Sequence, residues 1–267
     1  VRRHPWARAV RMDKVALVKV EGLLINADHI VEEISGHADD SSVKAIIVRV
    51  DSPGGGVVVS QEIYNALLSA RKTGKKVVVS LGSVAASGGY YIAAAGDRIV
   101  ANPGTLTGSI GVKMEFANVE KLLEKIGVKG MVVKAGEYKD IGSPYRDMSE
   151  PERKLLQTVI DDVHNQFIEA VAKGRNLPEA EVRMIADGRV FTGRQALQLK
   201  LVDQLGDLEE SVQVAAELAG IKGKPKVIKK EKRMPFLEYF KEETVSWISE
   251  VITRGLDRGR MSLQYRY

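Results

Sequence analysis

The sequence predicts an α/β protein whose sheet is largely parallel. Two observations carry this. Apolar, β-branched runs alternate with amphipathic helical stretches, the pattern of strand–helix–strand units. The central runs, "SVKAIIVRV" (42–50) and "KVVVSLG" (76–82), are apolar on both faces, as strands covered by helices on each side have to be.

Taken in order, "KVALVKV" (14–20) reads as the first strand. "ADHIVEEISGHADD" (27–40) is a helix with Ile30, Val31 and Ile34 on one side. The second strand, 42–50, runs into the turn "DSPGGG" (51–56). "SQEIYNALLSARKTG" (60–74) is an amphipathic helix, and 76–82 is the third strand. A helix follows Ser87, then a short strand and a Gly/Thr/Ser loop in "DRIVANPGTLTGSIGV" (97–112). "NVEKLLEKIG" (118–127) predicts a helix, "GMVVKAG" (130–136) a strand, and "EYKDIGSPYRDM" (137–148) an irregular loop. Ser149 and Glu152 form a capping-box start. The long helix behind it carries an apolar stripe of Leu155, Val159, Val163, Phe167 and Val171. Short helices fill the stretch to Gly220. A basic segment (222–233) and an amphipathic stretch, Phe236 to Ile252, follow. The expected organisation is an N-terminal tail (1–13), a main domain (14–221) and a C-terminal extension (222–267).

The chain has 267 residues, 44% of them hydrophobic and 28% charged, enough for a sizeable core. A net charge of +5 suits an anionic membrane surface. With 6% aromatics and no interleaving of basic and aromatic residues, nucleic acid is not an expected partner. There is no cysteine, so disulfides and thiolate nucleophiles are excluded. His4, His29, His37 and His164 lack metal-ligand spacing and read as surface or satisfied side chains. No run approaches the length of a membrane-spanning helix. The chain opens on Val1 and "RRHPWARAV", which suggests an upstream anchor or signal outside this sequence.

Three glycine-rich loops and one lysine carry the candidate chemistry. In "DSPGGG" the glycines can expose backbone N–H groups to an anion or simply make a tight turn. No Lys-Ser/Thr follows them, so a phosphate loop is excluded. Ser87, in "VSLGSVAASGGYYIAAAG" (79–96), stands where a strand gives way to a helix. Unpaired N–H groups there would stabilise an oxyanion, but a serine at that point equally suits an N-cap. Ser83, in the same run, reads as structural. Ser109 sits in "TLTGSIGV", as a positioning hydroxyl or a turn residue. A nucleophilic serine needs a base, and a lysine can serve when it is neutral. Lys139 lies in "GEYKDIGSP", where a surface role fits as well.

Together, "VDSPGGG", "AASGGYYIA", "TLTGSIGV", "GEYKDIGSP" and "IADGRVFTGRQALQLKLVDQLG" resemble the signal peptide peptidase A (SppA) family, of its short single-copy bacterial type. The resemblance covers about Lys14 to Leu218. It implies the ClpP/crotonase-like fold, with repeated ββα units and a C-terminal helical extension. It implies a serine endopeptidase with Ser87 as nucleophile, Lys139 as general base and Ser109 orienting that lysine. The Gly55 and Gly88 N–H groups are implied as the oxyanion hole. No cofactor and no metal are implied. The implied substrates are cleaved signal peptides and other unstructured apolar peptides. The implied setting is the extracytoplasmic side of a bacterial membrane, in a ring-shaped homo-oligomer. Two alternatives share the fold: a membrane-linked Ser/Lys peptidase of the NfeD type, and a crotonase-like acyl-CoA enzyme, which would need neither Ser87 nor Lys139.

Overall fold

A sheet of eight strands is the centre of the computed structural model, which describes residues 13–229. Its elements are β1 (Lys14–Glu21), α1 (Asp28–Asp39), β2 (Val43–Ser52), α2 (Val57–Lys72), β3 (Lys76–Ala86) and α3 (Gly88–Ala93). Next come β4 (Arg98–Ala101), β5 (Leu106–Gly108), α4 (Glu120–Lys125), α5 (Glu150–Arg175) and α6 (Glu179–Ile185). The last are β6 (Val190–Thr192), α7 (Gly193–Gln198), β7 (Gln204–Leu205), α8 (Leu208–Leu218) and β8 (Lys226–Lys229). The main order is β6-β5-β3-β2-β1-β8, with β4 bridging β3 and β7. Every pairing is parallel except β5 with β6.

The apolar character of both strand faces has its explanation in two cores. Ile46, Val48 and Val50 of β2 point into the larger one, with Ile34, Ile63, Leu67 and Tyr90 of the helices. Ala45 and Ile47 point the other way, into a smaller core closed by Val214 and Ala215 of α8. All five β2 side chains are fully buried. At about 1.5–3 kcal/mol for each fully buried Val or Ile, this strand dictates that helices lie on both sides.

β3 positions the site. Its first half pairs with β4 and its second half with β5. The change of partner coincides with a register shift against β2 between Val50 and Ser52. Asp51 fills the irregularity: its Oδ1 accepts from Val84 N–H at 3.1 Å. A Cβ at Gly82 would lie 2.6 Å from its carboxyl carbon. β3 therefore continues to Ala86, beyond the expected end at 82, and delivers Ser87 at its tip.

Three expectations change. "GMVVKAG" forms no strand, and Met131 and Val133 are almost fully exposed. Its β-propensity finds no ladder partner among the described residues, and propensity without pairing does not make a strand. The expected loop after Pro103 contains β5, too short for periodicity to register. The α5 stripe is buried only in its C-terminal half, where Phe167 is 4% and Val171 0% exposed, whereas Leu155 is 42% and Val159 44% exposed. The capping box at Ser149 and Glu152 is present as expected. β8, within the expected extension, pairs with β1. The expected tail, apart from Asp13, and the helical extension with its 236–252 stretch lie outside the described residues.

Candidate active site

Ser87 has φ 52° and ψ −121°, a backbone region that residues with a Cβ avoid, at a cost of roughly 1–3 kcal/mol. Its surroundings impose it. Ser87 N–H donates to Gly108 O at 2.9 Å, and Ser87 O accepts from Tyr91 N–H at 2.9 Å. One residue on, a Cβ at Gly89 would lie 2.9 Å from Ser52 O. Tyr90, fully buried, anchors the short helix by donating to Leu201 O at 2.7 Å. Burial pushes its phenol above the ordinary tyrosine range. Ser87 occupies the N-cap position of α3, but its hydroxyl makes no capping hydrogen bond. The sequence alone left cap and nucleophile open; here the oxygen is not used as a cap.

Sheet register brings Ser109 beside it. Ala86 of β3 pairs with Gly108 of β5, so Ser87 and Ser109 follow at the same level of adjacent parallel strands. Both have a positive φ, Ser109 with 51°, and Ser109 N–H donates to Arg189 O at 2.8 Å.

The glycine loop closes the other side. Leu24 N–H donates to Gly54 O at 2.9 Å and Gly56 N–H to Leu24 O at 2.8 Å. This bridge leaves the Gly55 N–H out. Gly88 opens α3, and the first N–H groups of a helix have no partner within it. A Cβ at Gly88 would collide with Ser60 Oγ and sit 3.3 Å from Gly55 N, while one at Gly54 would sit 2.7 Å from Gly88 N. The Gly55 and Gly88 backbones thus pack closely beside Ser87 because no side chain separates them.

Ser87, Ser109, Gly55 and Gly88 line one cavity of about 810 Å³, walled on the far side by α5 through Gln157, Ile160, His164 and Phe167. A second cavity of about 550 Å³ shares Val112, Lys113, Gln157 and Ile160 with it, so the two make one trough. Sequence reasoning missed His164, whose Nε2 is buried without a hydrogen-bond partner. Val163 and Phe167 of the apolar stripe line the same cavity, and only the packing of α5 over it shows that His164 joins them.

Lys139 does not line this cavity. It lies in an exposed run of turns, 137–142, tied through Asp140 and Arg146 to Glu152 in the first turn of α5. At the Ser87 end, Tyr91 packs on Phe167 with ring centroids 5.0 Å apart. Fifteen residues of helix separate Glu152 from Phe167, roughly 22 Å along the axis. Lys113 is the lysine in the cavity wall, but it is 79% exposed at the side chain and pairs with Glu115 at 2.6 Å. Among the described residues no group of three His, Cys, Asp or Glu is placed to hold a metal.

A family model for peptidase family S49 matches residues 69–222. The chain belongs to peptidase family S49. A Clp protease model also matches, over residues 18–105, in keeping with the ClpP/crotonase-like fold. The chain is 47% identical over 209 residues to "Putative protease slr0021" of Synechocystis sp., covering 78% of this chain and 75% of that one. It is 36% identical to Protease 4 of Haemophilus influenzae, over 90% of this chain and 40% of that protein. The chloroplastic serine protease SPPA of Arabidopsis thaliana is 35% identical, over 75% of this chain and 30% of its own length. The chain thus spans less than half the length of the last two. As an S49 member of the SppA type it is a serine peptidase. No helix of the described residues is long and apolar enough to cross a membrane.

Proposed function

We propose that this S49 peptidase hydrolyses unstructured apolar peptides, cleaved signal peptides among them, through an acyl-enzyme on Ser87, with Lys139 of a neighbouring copy as general base. The observation that carries it is Ser87 itself: a strained backbone holds an uncapped hydroxyl in the cavity beside the closely packed Gly55 and Gly88 backbones.

The steps follow. Neutral Lys139 takes the Ser87 hydroxyl proton as Oγ attacks the scissile carbonyl carbon. The Gly55 and Gly88 N–H groups hold the resulting oxyanion. The lysine ammonium gives its proton to the leaving amine, the C–N bond breaks, and an ester remains on Ser87. A water then attacks that ester, losing its proton to Lys139, and the released Ser87 oxygen takes the proton back. Ser109, level with Ser87, hydrogen-bonds the incoming amine and orients it.

Lys139 is exposed and tied to the far end of α5, so assembly is the natural way to bring it to a serine. Exposed apolar residues in the same region, Phe116, Leu122, Ile126 and Met131 among them, suit contact with other copies in a ring. The trough along α5 suits an extended chain. We place the enzyme on the extracytoplasmic face of the membrane, where apolar signal-peptide remnants accumulate. Labelling with a fluorophosphonate followed by mass spectrometry tests the reading. The adduct is expected on Ser87, and an adduct confined to another serine refutes it.

A further inference from the structure

A single guanidinium fastens the Lys139 turn to α5. Arg146 Nε donates to Asp140 Oδ2 at 2.9 Å, and Nη2 donates to Oδ1 at 2.9 Å. On its other edge Nη1 donates to Glu152 Oε2 at 2.8 Å and to Asp147 O at 3.0 Å, and Nη2 also reaches Glu152 Oε1. All five N–H donors of an arginine are thereby engaged. Glu152 is 4% exposed and closes the capping box, its Oε2 accepting from Ser149 N–H at 2.9 Å. Lys134 Nζ completes the set, donating to Asp140 Oδ1 and to Glu137 O. The turn itself is kept open by Gly142, with φ 75°, over which the Phe116 ring packs.

Lys139 is followed directly by Asp140. An Asp140 carboxylate released from its partners and turned onto the lysine would favour a protonated amine, which cannot accept a proton from serine. An aspartate whose two oxygens are both held by cations does this far less.

We propose that Arg146 is a positioning residue for the Lys139 base: it fixes the Lys139–Asp140 turn on the first turn of α5 and keeps the Asp140 carboxylate occupied. The inference rests on the reading of Lys139 given above. The charged and titratable groups of this turn and the helix end beneath it are Lys134, Glu137, Tyr138, Asp140, Tyr145, Arg146, Asp147, Glu150, Glu152 and Arg153. Of these, Asp140 is adjacent in sequence to the lysine and directly bonded to the arginine. Arginine suits the role because its planar fork serves two carboxylates at once.

The test is the pH dependence of peptide cleavage by the assembled full chain. Arg146→Gln is expected to move the midpoint of the rising limb up by about one pH unit. Asp140→Asn, which keeps the Arg146–Glu152 pair, moves it down. The double variant returns it close to wild type, and Arg146→Lys lies between. A role confined to folding would not produce opposite shifts. Both single variants leaving the midpoint in place, or moving it the same way, overturns the proposal. Where Arg146→Gln does not fold, Asp140→Asn decides: a downward shift supports the proposal, and an unmoved or raised midpoint overturns it. Lys139→Ala separates the two levels. Activity in that variant refutes the base itself, whereas an inactive Lys139→Ala with unmoved midpoints refutes only the part assigned to Arg146.

Discussion

At Ser87 and Gly88 a single missing side chain sets the chemistry. A Cβ on Gly88 would press on Ser60 Oγ and come within 3.3 Å of Gly55 N, separating the two backbones that the proposed mechanism uses as the oxyanion hole. Gly88→Ala is therefore expected to lower kcat for peptide cleavage at least about a hundredfold, the scale of losing one oxyanion donor. A steady-state assay on the folded variant checks it, and near-normal kcat would remove Gly88 from the site. These positions were legible in the sequence as separate glycine motifs. Their convergence was not, because it depends on Ala86 pairing with Gly108, a contact between distant parts of the chain. His164 was not legible at all, since a lone histidine on an amphipathic helix carries no spacing signal.

At the scale of the element, α3 and α5 hold the two walls of the cavity, and each has one fastening to test. α3 is pinned by Tyr90, whose hydroxyl donates to Leu201 O in a fully buried setting. Tyr90→Phe leaves that carbonyl unpaired and is expected to cost about 1–3 kcal/mol. Urea denaturation reads it; an unchanged midpoint would show that the bond contributes nothing. The first turn of α5 contains Glu152, whose carboxyl is held down at about 2, first by Arg146 and then by Ser149. The folded value lies below the ordinary 4.5, so the stabilisation is complete above that value and is lost as pH falls towards 2. Protection of the amides in the first turn of α5, taken relative to the intrinsic exchange rate at each pH, should hold at pH 5 and fall as pH drops from 4.5 to 2. Glu152→Gln should remove that pH dependence. A wild-type profile flat over this interval would contradict the ion pair. The capping box was readable from Ser149 and Glu152, as were β1 to β3 from their apolar runs. "GMVVKAG" misled because a strand also needs a partner, which local sequence does not supply.

For the whole molecule, one chain presents Ser87, the Gly55 and Gly88 backbones and a trough along α5, while Lys139 stands on an exposed turn tied to the first turn of α5. The family and the fold were legible in ordered motifs. The placement of Lys139 relative to Ser87 was not, because motif order says nothing about where a loop is tethered; Asp140, Arg146 and Glu152 determine that. Assembly is therefore a condition of catalysis in the proposed mechanism. Ser87→Ala and Lys139→Ala should each be inactive alone. Dissociated, mixed in equal amounts and reassembled, they should recover up to about a quarter of wild-type activity, since a head-to-tail contact pairs an intact serine with an intact lysine in one interface in four. A mixture as inactive as its components, or an active single variant, would contradict it.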